Sequence, residues 1–260
     1  MSLIQAIVLG IVQGVSEFLP ISSTAHLILV PWFLGWEDPG LTFDVALHLG
    51  TLVAVLSFFW REVVDLVRQG LTQPQTGEGR LFWYLVVASV PGALAGYLLE
   101  AQAETAFRSP LRIAWALALL GFLLWWADRW GRKLKTIEDI SLKDSLLIGL
   151  SQALAIMPGV SRSGITMTAG LILGLTRESS ARFSFLMSIP IIAGAGLLKI
   201  KDISPQNVNS AFFLGIFFAS LSGFLAIKYL LRYLRHGSYL FFAWYRLVLA
   251  AATMLYLLTR

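Results

Sequence analysis

The chain has no cysteine. That excludes a disulfide framework, a thiolate metal site and a cysteine nucleophile together. Charge is scarce as well. Asp, Glu, Lys and Arg make up 13% of the 260 residues, where a soluble domain carries about a quarter. A basic n-region is missing too. The start, Met1-Ser2-Leu3-Ile4-Gln5, holds no lysine or arginine, and the apolar run behind it contains Glu17 and His26. A cleavable signal is therefore not expected, and this segment reads as part of the fold.

What fills the chain instead is apolar. Hydrophobic residues occupy 57% of positions, which places the protein in lipid. Length alone allows one or two soluble domains. The apolar runs point instead to one integral membrane domain over residues 1–260, built from related halves of about 1–130 and 140–260. The net charge of +5 does not imply a nucleic-acid partner, because the basic residues sit in short loops between apolar spans, where orientation rules place them.

Six runs are apolar enough to span: about 43–60, 81–99, 111–128, 183–199, 211–231 and 240–258. A crossing helix needs roughly 20 residues. Two further stretches, about 3–35 and 145–176, are apolar but interrupted by proline and hydroxyl residues. Each reads as a re-entrant helix–turn–helix hairpin, which is tolerated at membrane depth only under protein or beside a wet cavity. Placing Gly10 over Gly149 sets Gln13 over Gln152, Ser22 over Ser161, Ser23 over Arg162 and Thr24 over Ser163. One hairpin plus three spans makes an odd number of crossings, so the second half is expected inverted relative to the first. The predicted fold class is all-α, polytopic, with an inverted-topology repeat. Paired interrupted segments of this kind point to a midplane site.

Charge gives an orientation. Arg61, Arg68 and Arg80 follow the first span, Arg129, Arg132, Lys133, Lys135 and Lys143 the third, and Lys228, Arg232 and Arg235 the fifth. These 11 of the 20 basic residues fall on one side, which is expected to be cytoplasmic. The loop at 100–108, with Glu100 and Glu104 against Arg108, falls outside with both termini. Lys199 and Lys201 run against that scheme.

The polar residues gather at the breaks. Gln13 and Glu17 share a helical face, and a carboxylate in lipid needs a partner or a cavity. Pro20 ends that helix. Ser22, Ser23 and Thr24 then suit the N-cap of a helix running on through His26, which reaches back toward the same pocket. In the second break Pro158 and Gly159 stop one half-helix. Ser161, Arg162 and Ser163 open the next, with Thr166 one turn in. Helix N-termini favour anions, and the planar fork of Arg162 matches phosphate oxygens. Taken singly, Ser22 or Ser163 would be helix glue, His26 a packing residue and Pro158-Gly159 a kink. Glu17, the hydroxyl run, His26 and Arg162 in one repeat argue for a phosphate site. Asp44 and His48, four apart on a span, either line the cavity or make a structural bond. Arg246, inside the last span, pairs with a carboxylate or a hairpin carbonyl. Aromatic clusters around Trp125–Trp130 and Phe241–Tyr245 read as interfacial belts. Gln69–Gly79 reads as a polar loop, and Gly92/Gly96 as a candidate close helix contact.

Glu17–Leu27 (EFLPISSTAHL) and Pro158–Thr166 (PGVSRSGIT) resemble the two signature motifs of the undecaprenyl-pyrophosphate phosphatase family, known for bacitracin resistance. The resemblance covers essentially the whole chain. It implies hydrolysis of a C55 polyprenyl pyrophosphate to the monophosphate carrier for cell-wall glycans, in the bacterial plasma (inner) membrane, with a site opening to the outer (periplasmic) face. It also implies a divalent cation, Mg²⁺ or Ca²⁺. The family's acidic motif falls on Gln13 and Glu17 as metal residues, with glutamine where an acid can stand. The implied catalytic residues are Glu17, Ser23, His26 and Arg162. Those binding substrate are Ser22, Thr24, Ser161, Ser163 and Thr166. Ser23 attacks the terminal phosphorus and His26 protonates the leaving group or activates water. Attack by His26 itself, or by a metal-activated water, stays open. The expected partners are the lipid substrate and membrane lipid, and a homodimer is the one protein partner entertained. The rival class is a transporter or flippase of a phosphate-bearing lipid, since broken helices in inverted repeats are also a transporter signature. A purely structural membrane subunit would need neither Glu17 nor Arg162 at the breaks.

Overall fold

Proline and hydroxyl residues cut the apolar sequence where the backbone turns. The computed structural model describes residues 1–99, 108–199 and 208–259. Glu100, Glu104 and Lys201 lie outside the described residues. Ten α-helices are present among those described: α1 (Leu3–Phe18), α2 (Ser23–Leu34), α3 (Leu41–Thr72), α4 (Gly77–Leu98), α5 (Pro110–Trp130), α6 (Leu142–Gln152), α7 (Arg162–Ile172), α8 (Arg177–Lys199), α9 (Ser210–Leu234) and α10 (Leu240–Leu258). No strand occurs among the described residues beyond an isolated bridge between Lys135 and Leu175. Six helices, α3, α4, α5, α8, α9 and α10, are long and apolar enough to cross a membrane.

Local chemistry accounts for the ends. Ser2 opens α1 with a capping box to Gln5, and Ser141 opens α6 with one to Asp144. The residue before a proline is pushed to extended backbone. Leu19, before Pro20, and Met157, before Pro158, are both extended and close α1 and the short 3-10 turn Ala153–Ile156. The expected loop after the first span is shorter than predicted. α3 runs on to Thr72, bent at Phe59 (φ −100°, ψ 16°), and α4 already starts at Gly77. Thr76 caps α4 by accepting from Gly79 N at 3.1 Å and donates to Gln69 Oε1 at 3.0 Å, so the polar stretch is mostly helix.

Small residues let the broken helices sink between the long ones. A side chain at Gly10 of α1 would meet Gly215 O of α9 at 2.7 Å, and one at Gly149 of α6 would strike Ala88 of α4. α1 thus packs on α9 and α6 on α4, each broken pair lying against a helix distant in sequence. The Gly92/Gly96 expectation holds by half: a Cβ on Gly92 would meet the Gln152 side chain, while one on Gly96 would meet no other element within 4 Å. At one end Arg177 grips Asp128 with two hydrogen bonds, at 2.6 and 3.1 Å, and its carbonyl accepts from Tyr239 Oη at 3.0 Å. This ties α5, α8 and the start of α10 together.

Candidate active site

Both breaks end in the same backbone device. Ser22 (φ 75°, ψ 94°) caps α2 and Ser161 (φ 72°, ψ 114°) caps α7. Each holds a positive φ that costs a non-glycine residue energy. Each hydroxyl accepts from the amide three residues on, Ala25 N at 3.4 Å and Gly164 N at 3.0 Å. The breaks touch. Gly159 N donates to Ser22 Oγ at 3.2 Å, and Ser163 Oγ donates to Leu19 O at 3.0 Å.

Glu17, buried at the end of α1, is the hub. Its Oε1 accepts from Arg162 Nη2 at 2.8 Å. Its Oε2 accepts from Ser23 Oγ at 2.6 Å and from Gln13 Nε2 at 3.2 Å. Arg162 Nη1 also donates to Ser184 O at 2.9 Å. Two of its five N–H groups are thus spent, leaving three. A cavity of about 350 Å³ opens here, lined by Glu17, Ser22, Ser23, Thr24, Ser161 and Arg162. Apolar residues, among them Val45, Leu49, Met157, Ile191 and Ile192, form much of its wall, and Arg108 and Lys199 line it too.

The remaining residues named from the sequence stand elsewhere. Ser163 and Thr166 do not line the cavity. Thr166 Oγ1 donates to Arg162 O and lies 2.8 Å from Ser184 Oγ, so these hydroxyls tie backbone and neighbouring helix. His26 also misses the pocket. Its Nδ1 lies 2.7 Å from Ser22 O and its Nε2 2.7 Å from Tyr245 Oη. A carbonyl only accepts, so Nδ1 carries the hydrogen, and Nε2 pairs with the tyrosine hydroxyl. The helical step from Ser22 turns the ring toward α10, which corrects the expectation that it enters the pocket. His48 lines the cavity instead, with Nδ1 on Asp44 O at 2.7 Å and Nε2 3.6 Å from Glu17 Oε2. Asp44 joins it, 3.6 Å from Arg108. Their i, i+4 spacing was the sequence signal, but spacing does not show which face looks inward. Arg108 gave no such signal, sitting just before a span.

Among the described residues no group of three or more His, Asp and Glu could hold an ion. Beside Glu17, however, Gln13 Oε1 is buried without a hydrogen-bond partner. One carboxylate and one orphaned amide oxygen fit a hard cation that takes its other oxygens from phosphate and water, as Mg²⁺ does.

Comparison with known proteins decides the family. The family model described as Bacitracin resistance protein BacA matches residues 6–252. The chain belongs to the BacA family. A protein of Moorella thermoacetica named undecaprenyl-diphosphatase is 65% identical over 251 residues, 96% of each chain. One of the same name from Pelotomaculum thermopropionicum is 59% identical over 98% of this chain and 96% of its own. A third, from Desulforudis audaxviator, is 52% identical over 98% of both. These names are those of a hydrolase, and nothing in them supports the transporter or flippase reading.

Proposed function

We propose that this chain is an integral-membrane phosphatase that hydrolyses undecaprenyl diphosphate to the monophosphate and inorganic phosphate. Family membership and the relatives' names support the reaction, and one contact carries the mechanism: Ser23 Oγ donates to Glu17 Oε2 at 2.6 Å while Arg162 holds the other oxygen. Glu17 takes the Ser23 proton as the hydroxyl attacks, a role the 2.6 Å hydrogen bond supports. Ser23 Oγ bonds to the terminal phosphorus, the bridging P–O bond breaks, and the polyprenyl monophosphate leaves. Water then cleaves the phosphoserine, dividing one hard step into two. The three spare N–H groups of Arg162 and the first amides of α2 and α7 stabilise charge on the phosphoryl oxygens. Glu17 and Gln13 would hold a divalent cation such as Mg²⁺ or Ca²⁺, whose charge neutralises the phosphoryl group in transfer.

The apolar cavity wall suits the isoprenoid chain, whose tail stays in the bilayer. The broken helices act as re-entrant hairpins of an inverted repeat, with halves of about 1–130 and 140–260. Supporting this, α1 lies on α9 as α6 lies on α4, each the middle span of the other half. The strained serines also fall at matching positions. Family membership supports a bacterial plasma membrane with the site opening to the outer face, and the basic loops support an orientation in which they are cytoplasmic. The mechanism is tested by quenching turnover in acid and mapping phosphate by mass spectrometry. Phosphoserine at position 23, absent in an inactive Ser23→Ala variant, is expected. Full activity in Ser23→Ala would reject the nucleophile.

A further inference from the structure

Arg246 lies in the middle of α10 and is wholly buried. A charged residue inside a membrane helix ordinarily pairs with an opposite charge or faces a wet cavity. Arg246 does neither. Among the described residues it has no carboxylate partner, and it does not line the cavity. Its guanidinium is spent on backbone carbonyls. Nη1 donates to Pro20 O at 3.1 Å, Nη2 to Gly159 O at 2.8 Å and Val160 O at 3.1 Å, and Nε to Leu117 O at 3.4 Å.

These acceptors form a pattern. The alignment of Gly10 with Gly149 sets Pro20 opposite Gly159. One planar group therefore bridges corresponding carbonyls of the two breaks. Each lies two residues before a strained serine, Ser22 or Ser161. Nη1 also stands 2.8 Å from where a Cβ on Gly164 would lie, so the first turn of α7 rests on the guanidinium. Carbonyls freed at a helix break have no water to turn to at membrane depth. A fork of five fixed donors serves both breaks in one rigid plane, where an ammonium brings three rotatable donors from a single point.

We propose that Arg246 is a positioning residue that sets the register between the two halves of the active site, with Glu17 and Ser23 on one side and Arg162 on the other. It rests on the diphosphatase reading above. Because it does not line the cavity, its effect falls on turnover rather than on substrate capture. A misplacement of about 1 Å at a reacting centre costs about 100-fold.

The test uses Arg246→Lys and Arg246→Met, purified in detergent beside wild type, with folding checked by elution and thermal melting. Phosphate release is measured across polyprenyl diphosphate concentration, and amide exchange is followed in peptides spanning both breaks. The expected result is a kcat lower by about 100-fold in Arg246→Met with KM nearly unchanged. Arg246→Lys, which keeps the charge and loses the fork, is rescued only in small part. Exchange rises at both breaks together. Near-normal kcat in folded Arg246→Met would overturn the proposal, as would a raised KM with kcat kept, full rescue by lysine, or a change at one break only. If Arg246→Met fails to fold, Arg246→Lys decides. Collapse of both would make Arg246 a folding residue and end the proposal. A folded wild type that releases no phosphate overturns the diphosphatase reading instead, and the exchange result still judges the clamp.

Discussion

Glu17 accepts from Arg162 on one oxygen and from Ser23 and Gln13 on the other. Removing one partner of such a buried pair leaves a charge stranded, at about 3–5 kcal/mol, so Arg162→Lys tests chemistry more cleanly than Arg162→Ala. His26 and Tyr245 form a second residue-scale unit, joined by a 2.7 Å hydrogen bond and stacked at 10° between planes. Variants of one unit are not additive. His26→Ala and Tyr245→Phe should each lower the thermal midpoint, and the double variant should fall little below the worse single; fully additive shifts would show that the pair does not act together. The hub was legible in the sequence because Glu17 and Arg162 are costly in lipid and sit at breaks. His26 and His48 were not separable, since both lie on apolar helices and only the direction of each ring distinguishes them. Thr166 and Ser163 misled for a related reason: a hydroxyl at a helix start serves backbone and ligand equally well.

Among the elements, the breaks were the clearest reading, because proline constrains both itself and its predecessor. Their positive-φ serines were not legible, since only glycine announces such backbone openly. Ser161 caps α7 through its hydroxyl while paying for φ 72°. Ser161→Gly should therefore lose the cap but relieve the backbone, whereas Ser161→Ala loses the cap, worth about 1 kcal/mol, and keeps the strain. The expected order of thermal midpoints is wild type, then glycine, then alanine; alanine melting above glycine would contradict the strain at this position. The six spans were legible from apolar runs alone. The extension of α3 to Thr72 was hidden, because its last turns are polar and are held by contacts from beyond the helix, Thr76 to Gln69 and Trp83 to Gly70 O among them.

For the molecule as a whole, low charge and interrupted helices restrict what the protein can do. Polar groups enter lipid only where other polar groups answer them, and here they collect at one contact between two distant segments. That contact is the central claim: the two breaks form a single phosphate site. The most direct test is inorganic phosphate release from a polyprenyl diphosphate by purified, folded protein in detergent, with Mg²⁺, with Ca²⁺ and with chelator, for wild type and Arg162→Lys. Release from the wild type that depends on the divalent ion and drops by at least about tenfold in Arg162→Lys, where a point charge replaces the fork, is the expected result. Equal release from both proteins would remove Arg162, and with it the second break, from the site; no release from folded wild type would contradict the phosphatase itself.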